Sequence, residues 1–324
     1  MGKSPCCGAQ VRLFGGRRRQ CRSCLRTWRV WRRKRGRRSL RGADRLLQRV
    51  FLSRRSLTEI ARSQGRTKQA LSYRFLRSLE RHLKRPHRHK LPESENLVML
   101  GDGLWFRFNR RPWVLYLIAL KRCDQNEAIF LPPVLQAGSE SKGRWQKAID
   151  LIPQKQRRQI RAAVFDDFAG CTTLATENGW ILQLCQFHLI AALRSRVGYR
   201  RPRTIGAHSI RLEAYQLVKI ALSTADEGVL DVAVNAISGL IRGGELPVSF
   251  LEKLREFLWR LPQYRAYRLH PALRLPKTTS SIESMCRVIR DLMRHNRSLR
   301  TPKALNLWAR GLHQFKHRIV CNSA

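Results

Sequence analysis

The stretch that most constrains the fold is Arg161-Ala162-Ala163-Val164-Phe165-Asp166-Asp167-Phe168-Ala169-Gly170. A short apolar run with β-branched and aromatic members reads as a buried strand. It stops at two adjacent carboxylates, and a helix-like segment follows. Acids at the carboxyl end of a buried strand lie at the rim of an open α/β sheet, where ligands bind. The chain holds 22 acidic residues against 65 basic ones, so two acids beside an apolar strand need a reason. Two readings are open at this point: one Asp caps the next helix, or the pair contributes to a metal site.

The formal net charge is +43. Self-repulsion on that scale opposes compaction and favours a polyanionic partner, either nucleic acid or an anionic membrane surface. No apolar run approaches the ~18 residues needed to span a bilayer, and the longest, Trp113–Leu120, is strand-sized. The N-terminus, Met1-Gly2-Lys3-Ser4-Pro5-Cys6-Cys7, lacks the apolar segment of a signal peptide. Nine cysteines, scattered beyond residue 24, fit a reducing compartment with metal-binding or buried thiols rather than a disulfide framework. The expectation is a cytoplasmic, nucleoid-associated protein that binds DNA or RNA and has no membrane partner.

Residues 1–41 form a first, zinc-ribbon-like basic module. Cys21-Arg22-Ser23-Cys24 is a CxxC knuckle, and Cys6-Cys7-Gly8 faces it in sequence. A ribbon normally opens Cys-Pro-x-Cys-Gly, whereas here Ser4 stands in the first position. A tetrahedral structural zinc needs four ligands. Either Cys6 serves beside Cys7, Cys21 and Cys24, or the site is incomplete. Between Arg17 and Arg41, 13 of 25 residues are Lys or Arg and none is acidic. Trp28, Val30 and Trp31 interleave with them, which favours a nucleic-acid contact over a merely solvated tail. Arg17, Arg18, Arg19, Arg32, Arg33, Lys34 and Arg35 are the candidate phosphate contacts.

Residues 42–90 read as a helical DNA-binding domain. Leu46, Leu47, Val50 and Phe51 line one amphipathic stretch. Ser56 and Glu59 stand at capping-box spacing before the next, Gly65 breaks it, and a polar-leading helix starts at Thr67. This order looks like a helix-turn-helix, whose second helix presents its N-terminal residues to base edges. Arg66, Thr67, Lys68, Gln69 and Ser72 are then the readers. The proline-punctuated linker Arg85–Pro92 separates this domain from residues 91–324, and its histidines read as part of an exposed basic linker.

From residue 96 the periodicity changes. Asn96–Leu100, Leu104–Phe108, Trp113–Leu120 and Ala128–Leu131 read as successive strands with turns between them, and Gly101-Asp102-Gly103 falls where a hairpin turn would sit. Helical pieces at 145–151 and 156–162 lead into the Asp166 strand, and Trp180–Leu184 is a further strand. Strands followed by alternating helix and strand imply a mixed sheet covered by helices. Cys185 and His188, three apart, share a helical face and could ligate a metal or simply pack. Residues 189–275 are helical throughout, an all-α insertion. Ser280 and Glu283 again stand at capping-box spacing, and a last helix spans Pro302–Phe315.

Three acids therefore stand out: Asp102 after a first strand, Asp166 at the end of a later one, and Glu283 at a helix start beyond a helical insert. With Leu100–Trp105, Val164–Gly170, Cys185-Gln186-Phe187-His188 and Thr278–Ser284, the chain resembles the DDE transposases of bacterial insertion sequences, in particular the Mutator-like group. The order of these motifs carries the resemblance, with 64 residues from Asp102 to Asp166 and 117 from Asp166 to Glu283. Family members usually have Asp-Gly where this chain has Asp166-Asp167. The resemblance implies an RNase H-like α/β core, with Asp102, Asp166 and Glu283 as catalytic residues holding Mg²⁺ or Mn²⁺. Cys185 and His188 would support them. It further implies cleavage and strand transfer of DNA, with the element's terminal inverted repeats and target DNA as partners of a homo-oligomer. Two ions would clamp the attacking and leaving oxygens. Alternate side chains of a strand face opposite ways, so Asp166 is expected at the metal and Asp167 as the cap of a helix beginning near Phe168. A transposase-derived DNA-binding regulator and a nuclease without strand transfer are the other readings.

Overall fold

The computed structural model describes residues 3–14, 18–29, 40–53, 55–84, 91–92, 94–198, 205–295 and 301–321. It divides into two compact units, Met1–Arg49 and Val50–Ala324. In the first, strands β1 (Val11–Leu13), β2 (Arg18–Cys21) and β3 (Thr27–Arg29) form an antiparallel sheet in that order. Helix α1 (Leu40–Phe51) follows, burying Leu46 and Leu47. Leu13, Phe14 and Leu25 stay exposed, so the small sheet buries little apolar surface.

The second unit opens with the end of α1 and two further helices, α2 (Leu57–Ser63) and α3 (Lys68–Leu83). The capping box is present: Ser56 accepts from the Glu59 N–H, and the Glu59 carboxylate accepts from the Ser56 N–H. Gly65 takes φ +58°, a left-handed turn that glycine adopts without strain. Thr67 caps α3 through the Ala70 N–H. Phe51 and Phe75 then stack with Trp308 and Phe315 of the last helix, at centroid distances of 4.5 to 5.7 Å. A side chain at Gly311 would collide with Leu79 and Phe51, so the close approach of α3 and the last helix requires glycine there.

The chain continues through strands β4 (Leu97–Phe108), β5 (Arg111–Arg122), β6 (Glu127–Phe130) and β7 (Val134–Ala137). Helices α4 (Lys142–Ile149) and α5 (Gln154–Gln159), strand β8 (Ile160–Phe165), helix α6 (Cys171–Glu177) and strand β9 (Ile181–Leu184) come next. Helices α7 (Gln186–Val197), α8 (Ile205–Ser223), α9 (Glu227–Gly243), α10 (Val248–Trp259), α11 (Leu261–Tyr264) and α12 (Ala266–Leu269) follow, with no strand between them among the described residues. The chain closes with α13 (Ser280–His295), α14 (Pro302–Phe315) and strand β10 (Arg318–Val320). The sheet order is β10-β6-β5-β4-β8-β9, with β7 on β5. Strands β4, β5 and β6 are antiparallel neighbours, while β8 and β9 add in parallel to β4. This is an α/β unit with a mixed sheet covered by helices. Side chains of the strands and of α7 to α11 share one continuous apolar core, including Phe165, Leu184, Leu193, Phe250, Phe257 and Tyr264. Gln183, fully buried, pins β9 to that helical block by donating to Tyr264 O and accepting from the Tyr267 N–H.

One expectation from the sequence is overturned here. Gly101-Asp102-Gly103 is no turn; it lies inside a single twelve-residue strand, β4. The turn comes at Asn109-Arg110, both with positive φ (50° and 65°), as a two-residue type I′ hairpin requires. The glycines instead make room. A Cβ at Gly101 would fall inside 3 Å of Phe165 and Trp145, and one at Gly103 inside 3 Å of the Glu140 carboxylate. Strands β7 and β10 are also absent from the sequence reading, being three or four residues long.

Candidate functional site

Asp102 and Asp166 are brought together by sheet register. The parallel pairing of β4 with β8 runs Met99↔Ala163 and Leu100↔Val164. Two residues beyond that pair, past the end of β8, the chain reaches Asp166, whose charge acts on Asp102. Helix α13 packs on β4 and buries Ile282, Met285 and Cys286. It delivers Glu283 and Cys286 to Asp102, and one donor atom from each of the three lies within 4.8 Å of the others. Asp166 stands outside that tight group, with its Oδ1 3.6 Å from His188 Nδ1. Glu283 makes no capping box with Ser280. Its N–H bonds to Thr279 O and its carboxylate meets Arg290 at 3.3 Å.

The electrostatics follow from crowding acids at a buried point. Asp102 is 5% exposed. Its burial, the hydrogen-bonded and repelling Glu283, and the charge of Asp166 push it up to about 7, against the pull of His188. Burial would lower His188, yet contact with Cys185 and the charges of Asp166 and Asp102 raise it to about 9. Glu140 is a fourth carboxylate at the same edge. It accepts from Trp145 Nε1 at 2.8 Å, and burial and the nearby Asp166 push it up.

Cys185 caps the start of α7 and acts as a fastener. Its Sγ accepts from the N–H of Thr279 at 3.2 Å and from Thr279 Oγ1 at 3.3 Å, while the Gln186 N–H bonds to Lys277 O. The Cys185 N–H in turn bonds to Phe165 O. The segment leading into Glu283 is thereby tied to the end of the strand leading into Asp166. Within Cys-x-x-His, the cysteine positions the last acid and the histidine faces the second.

Asp167 departs from the expectation of a helix cap. Helix α6 begins only at Cys171, behind Gly170 at φ +92°, with no side-chain cap. Asp167 turns to the helical block, where Arg260 Nη1 bonds its Oδ1 and Lys253 Nζ lies 3.3 Å from Oδ2. Arg260 also donates to Thr172 Oγ1 at 2.7 Å, Cys171 Sγ at 3.1 Å and Gln263 Oε1 at 2.9 Å. Burial opposes the charge on Asp167, but contact with Glu256 and the two cations holds its carboxyl below the usual value. A buried guanidinium outcompetes a helix terminus because it offers two donors and a full charge.

In the first unit, Cys6, Cys7, Cys21 and Cys24 converge. Their sulfurs stand 3.2 Å apart for Cys6–Cys24 and Cys7–Cys21, and 3.8 Å for Cys7–Cys24. Four sulfurs ~2.3 Å from a tetrahedral ion stand about 3.8 Å apart, so the set can hold zinc. Gly8 at φ +71° and Leu25 at φ +57° close the two knuckles. Ser4, buried, lies beside the pair without replacing it, 3.5 Å from Cys6 Sγ and 3.6 Å from Cys7 Sγ. Ser4 is the largest influence lowering Cys21 to about 5, while Cys24, against the pull of the Arg26 N–H, is raised to about 11 through Cys6.

Of the proposed DNA contacts, Arg18, Arg19, Arg66, Thr67 and Gln69 are exposed and Lys68 and Ser72 half-buried. Arg17, Arg32, Arg33, Lys34 and Arg35, and the linker 85–90, lie outside the described residues. Among the described residues no helix is long and apolar enough to cross a membrane. No protein-family model matches this chain, and no curated protein matches it in sequence. Three residues of the site escaped the sequence reading. Cys286 carried a signal, since it lies one turn after Glu283. Arg260 carried none, as its partner Asp167 is 93 residues away, and Glu140 met the other acids only through the fold.

Proposed function

We propose that the chain is a DNA transposase of the DDE type, cutting and joining strands at the ends of its own mobile element. The observation that carries this reading is the meeting of Asp102 on β4 with Glu283 on α13, with Asp166 just past the end of the neighbouring β8 and its charge acting on Asp102. An RNase H-like core is supported by the sheet, in which three hairpin-linked strands are followed by two added parallel to the first. The capped α2, the Gly65 turn and the exposed start of α3 support a helix-turn-helix.

The donor set fits a hard divalent cation, since the carboxylates of Asp102 and Glu283 meet at the buried Asp102 and repel one another, with the charge of Asp166 acting on Asp102 from beside them. Asp102, Asp166 and Glu283 would hold Mg²⁺ or Mn²⁺. Such an ion, when bound, polarises the scissile phosphate and makes a water or 3′-hydroxyl more acidic. The chain's own contribution is placement and charge. Asp102, half-protonated near neutrality, must give up its proton to serve as a ligand. His188, charged, faces Asp166 and offsets the acids. Arg287, Arg290 and Arg294 form an exposed basic row on α13 that suits a phosphodiester backbone. The four cysteines would hold a structural zinc beside basic residues that grip DNA.

The test is incubation of the full-length protein and Mg²⁺ with duplexes carrying the repeats that flank its coding region. Strand cleavage and joined products are expected, and both should vanish in D102N, D166N and E283Q. Cleavage without joining would reduce the reading to a nuclease. Undiminished cleavage by D166N would overturn the site.

A further inference from the structure

Cys286 introduces a soft donor into an otherwise hard site. Its Sγ lies 3.6 Å from Asp102 Oδ2, and it stands one turn after Glu283 on the same face of α13. A cysteine that is 1% exposed often serves as a small apolar filler. This one points its thiol at a carboxylate instead. Its thiol donates to Asp102 Oδ2 across that 3.6 Å.

The spacing has a second meaning. A sulfur at ~2.3 Å and an oxygen at ~2.1 Å from one tetrahedral ion stand about 3.6 Å apart, which matches the Cys286–Asp102 separation. Two oxygens on a six-coordinate Mg²⁺ at ~2.1 Å stand only about 3 Å apart. Glu283 completes the set, with one donor atom from each of the three residues within 4.8 Å of the others.

From this geometry we infer that Asp102, Glu283 and Cys286 form a site for a thiophilic divalent cation of the Zn²⁺ class, with a fourth position open. Thiolate ligands select such ions, whereas carboxylates alone suit Mg²⁺. Because the carboxylates are those assigned to Mg²⁺, the two ions compete, and the thiophilic one holds the site in a form that does not cut. The inhibitory consequence rests on the function proposed above; the binding site does not.

Cadmium is the probe, because its NMR shift separates an all-sulfur site from a mixed sulfur and oxygen one. The full-length protein should give two cadmium signals, a four-sulfur signal from Cys6, Cys7, Cys21 and Cys24 and a mixed one. C286S, C286A and D102N should each lose or move the mixed signal alone, with the four-sulfur signal as proof of folding. A wild-type spectrum with only the four-sulfur signal, or a mixed signal unmoved in every variant, overturns the site. In the Mg²⁺ cleavage assay, cadmium should inhibit the wild type at a concentration at least tenfold below that needed for C286S, each scaled to its own uninhibited rate. Equal sensitivity overturns the competition. If no DNA is cut at all, the transposase reading fails, and the cadmium signals still decide the site.

Discussion

The four cysteines come from positions 6, 7, 21 and 24, whereas Asp102, Asp166 and Glu283 are gathered from across most of the second unit. The first unit has strands of three or four residues and exposes Leu13, Phe14 and Leu25, so it has little apolar core of its own. The second hangs its acids on a sheet whose core includes Phe165, Leu184, Phe250 and Phe257. On the proposed reading, zinc binding and folding of the first unit are the same event. In the other the fold exists first and the acids are a local cost within it, as the raised Asp102 attests.

The largest effect expected from this contrast is on the cysteine module. Chelation, or C7S or C21S, should unfold it, because structural zinc contributes on the order of 10 kcal/mol in small domains. Hydrogen exchange would read this as lost protection in residues 3–29 with residues 97–184 unchanged. Loss of protection in both would break the comparison.

Next in size is the loss of function at the acids. D102N, D166N and E283Q should each lower Mg²⁺-dependent cleavage by roughly 10³-fold, corresponding to several kcal/mol of lost cation-mediated stabilisation. Far-ultraviolet circular dichroism should be kept, and the second unit should melt no lower than in the wild type. A variant that lost its fold together with its activity would show that the acids are structural after all.

Between these lies Asp167, which sits next to an acid of the site yet serves the fold. D167A strands a largely buried Arg260, a break that costs about 3 kcal/mol. D167N should fall in the same direction, since it leaves the guanidinium without a counter-charge. Urea unfolding measures both, and a change within 0.5 kcal/mol, typical of neutral surface sites, would remove the clamp.

The last effect is on pH. Asp102 titrates near 7 in the folded protein and near ~3.9 when unfolded. Between those values the folded state holds a proton that the unfolded state has lost, so metal-free stability falls as pH rises from about 4 to about 7. D102N removes that slope. It should melt a few degrees above the wild type at pH 8, with the gap closing by pH 4. Scanning calorimetry of the metal-free proteins at the two pH values decides it.

Sequence alone determined the features whose causes are local. The capping box of Ser56 and Glu59, the left-handed Gly65, the buried strand ending at Phe165 and the last helix from Pro302 to Phe315 each follow from neighbouring residues. Side-chain alternation does not decide between Asp166 and Asp167, because β8 ends at Phe165; Asp167 is turned away by Arg260 and Lys253. Tertiary structure decided the rest. Gly101 and Gly103 read as a turn because turn preference is local. They are strand residues because Phe165, Trp145 and Glu140 need the space their side chains would fill. Asp167 read as a cap because a helix follows, but the stronger donor, Arg260, arrives from 93 residues away. Cys6 beside Cys7 looked an awkward ligand pair until the chain reversal at Gly8 let both sulfurs face Cys21 and Cys24. In each case the winning interaction joins residues that only folding makes neighbours, and its energy exceeds the local preference it overrides.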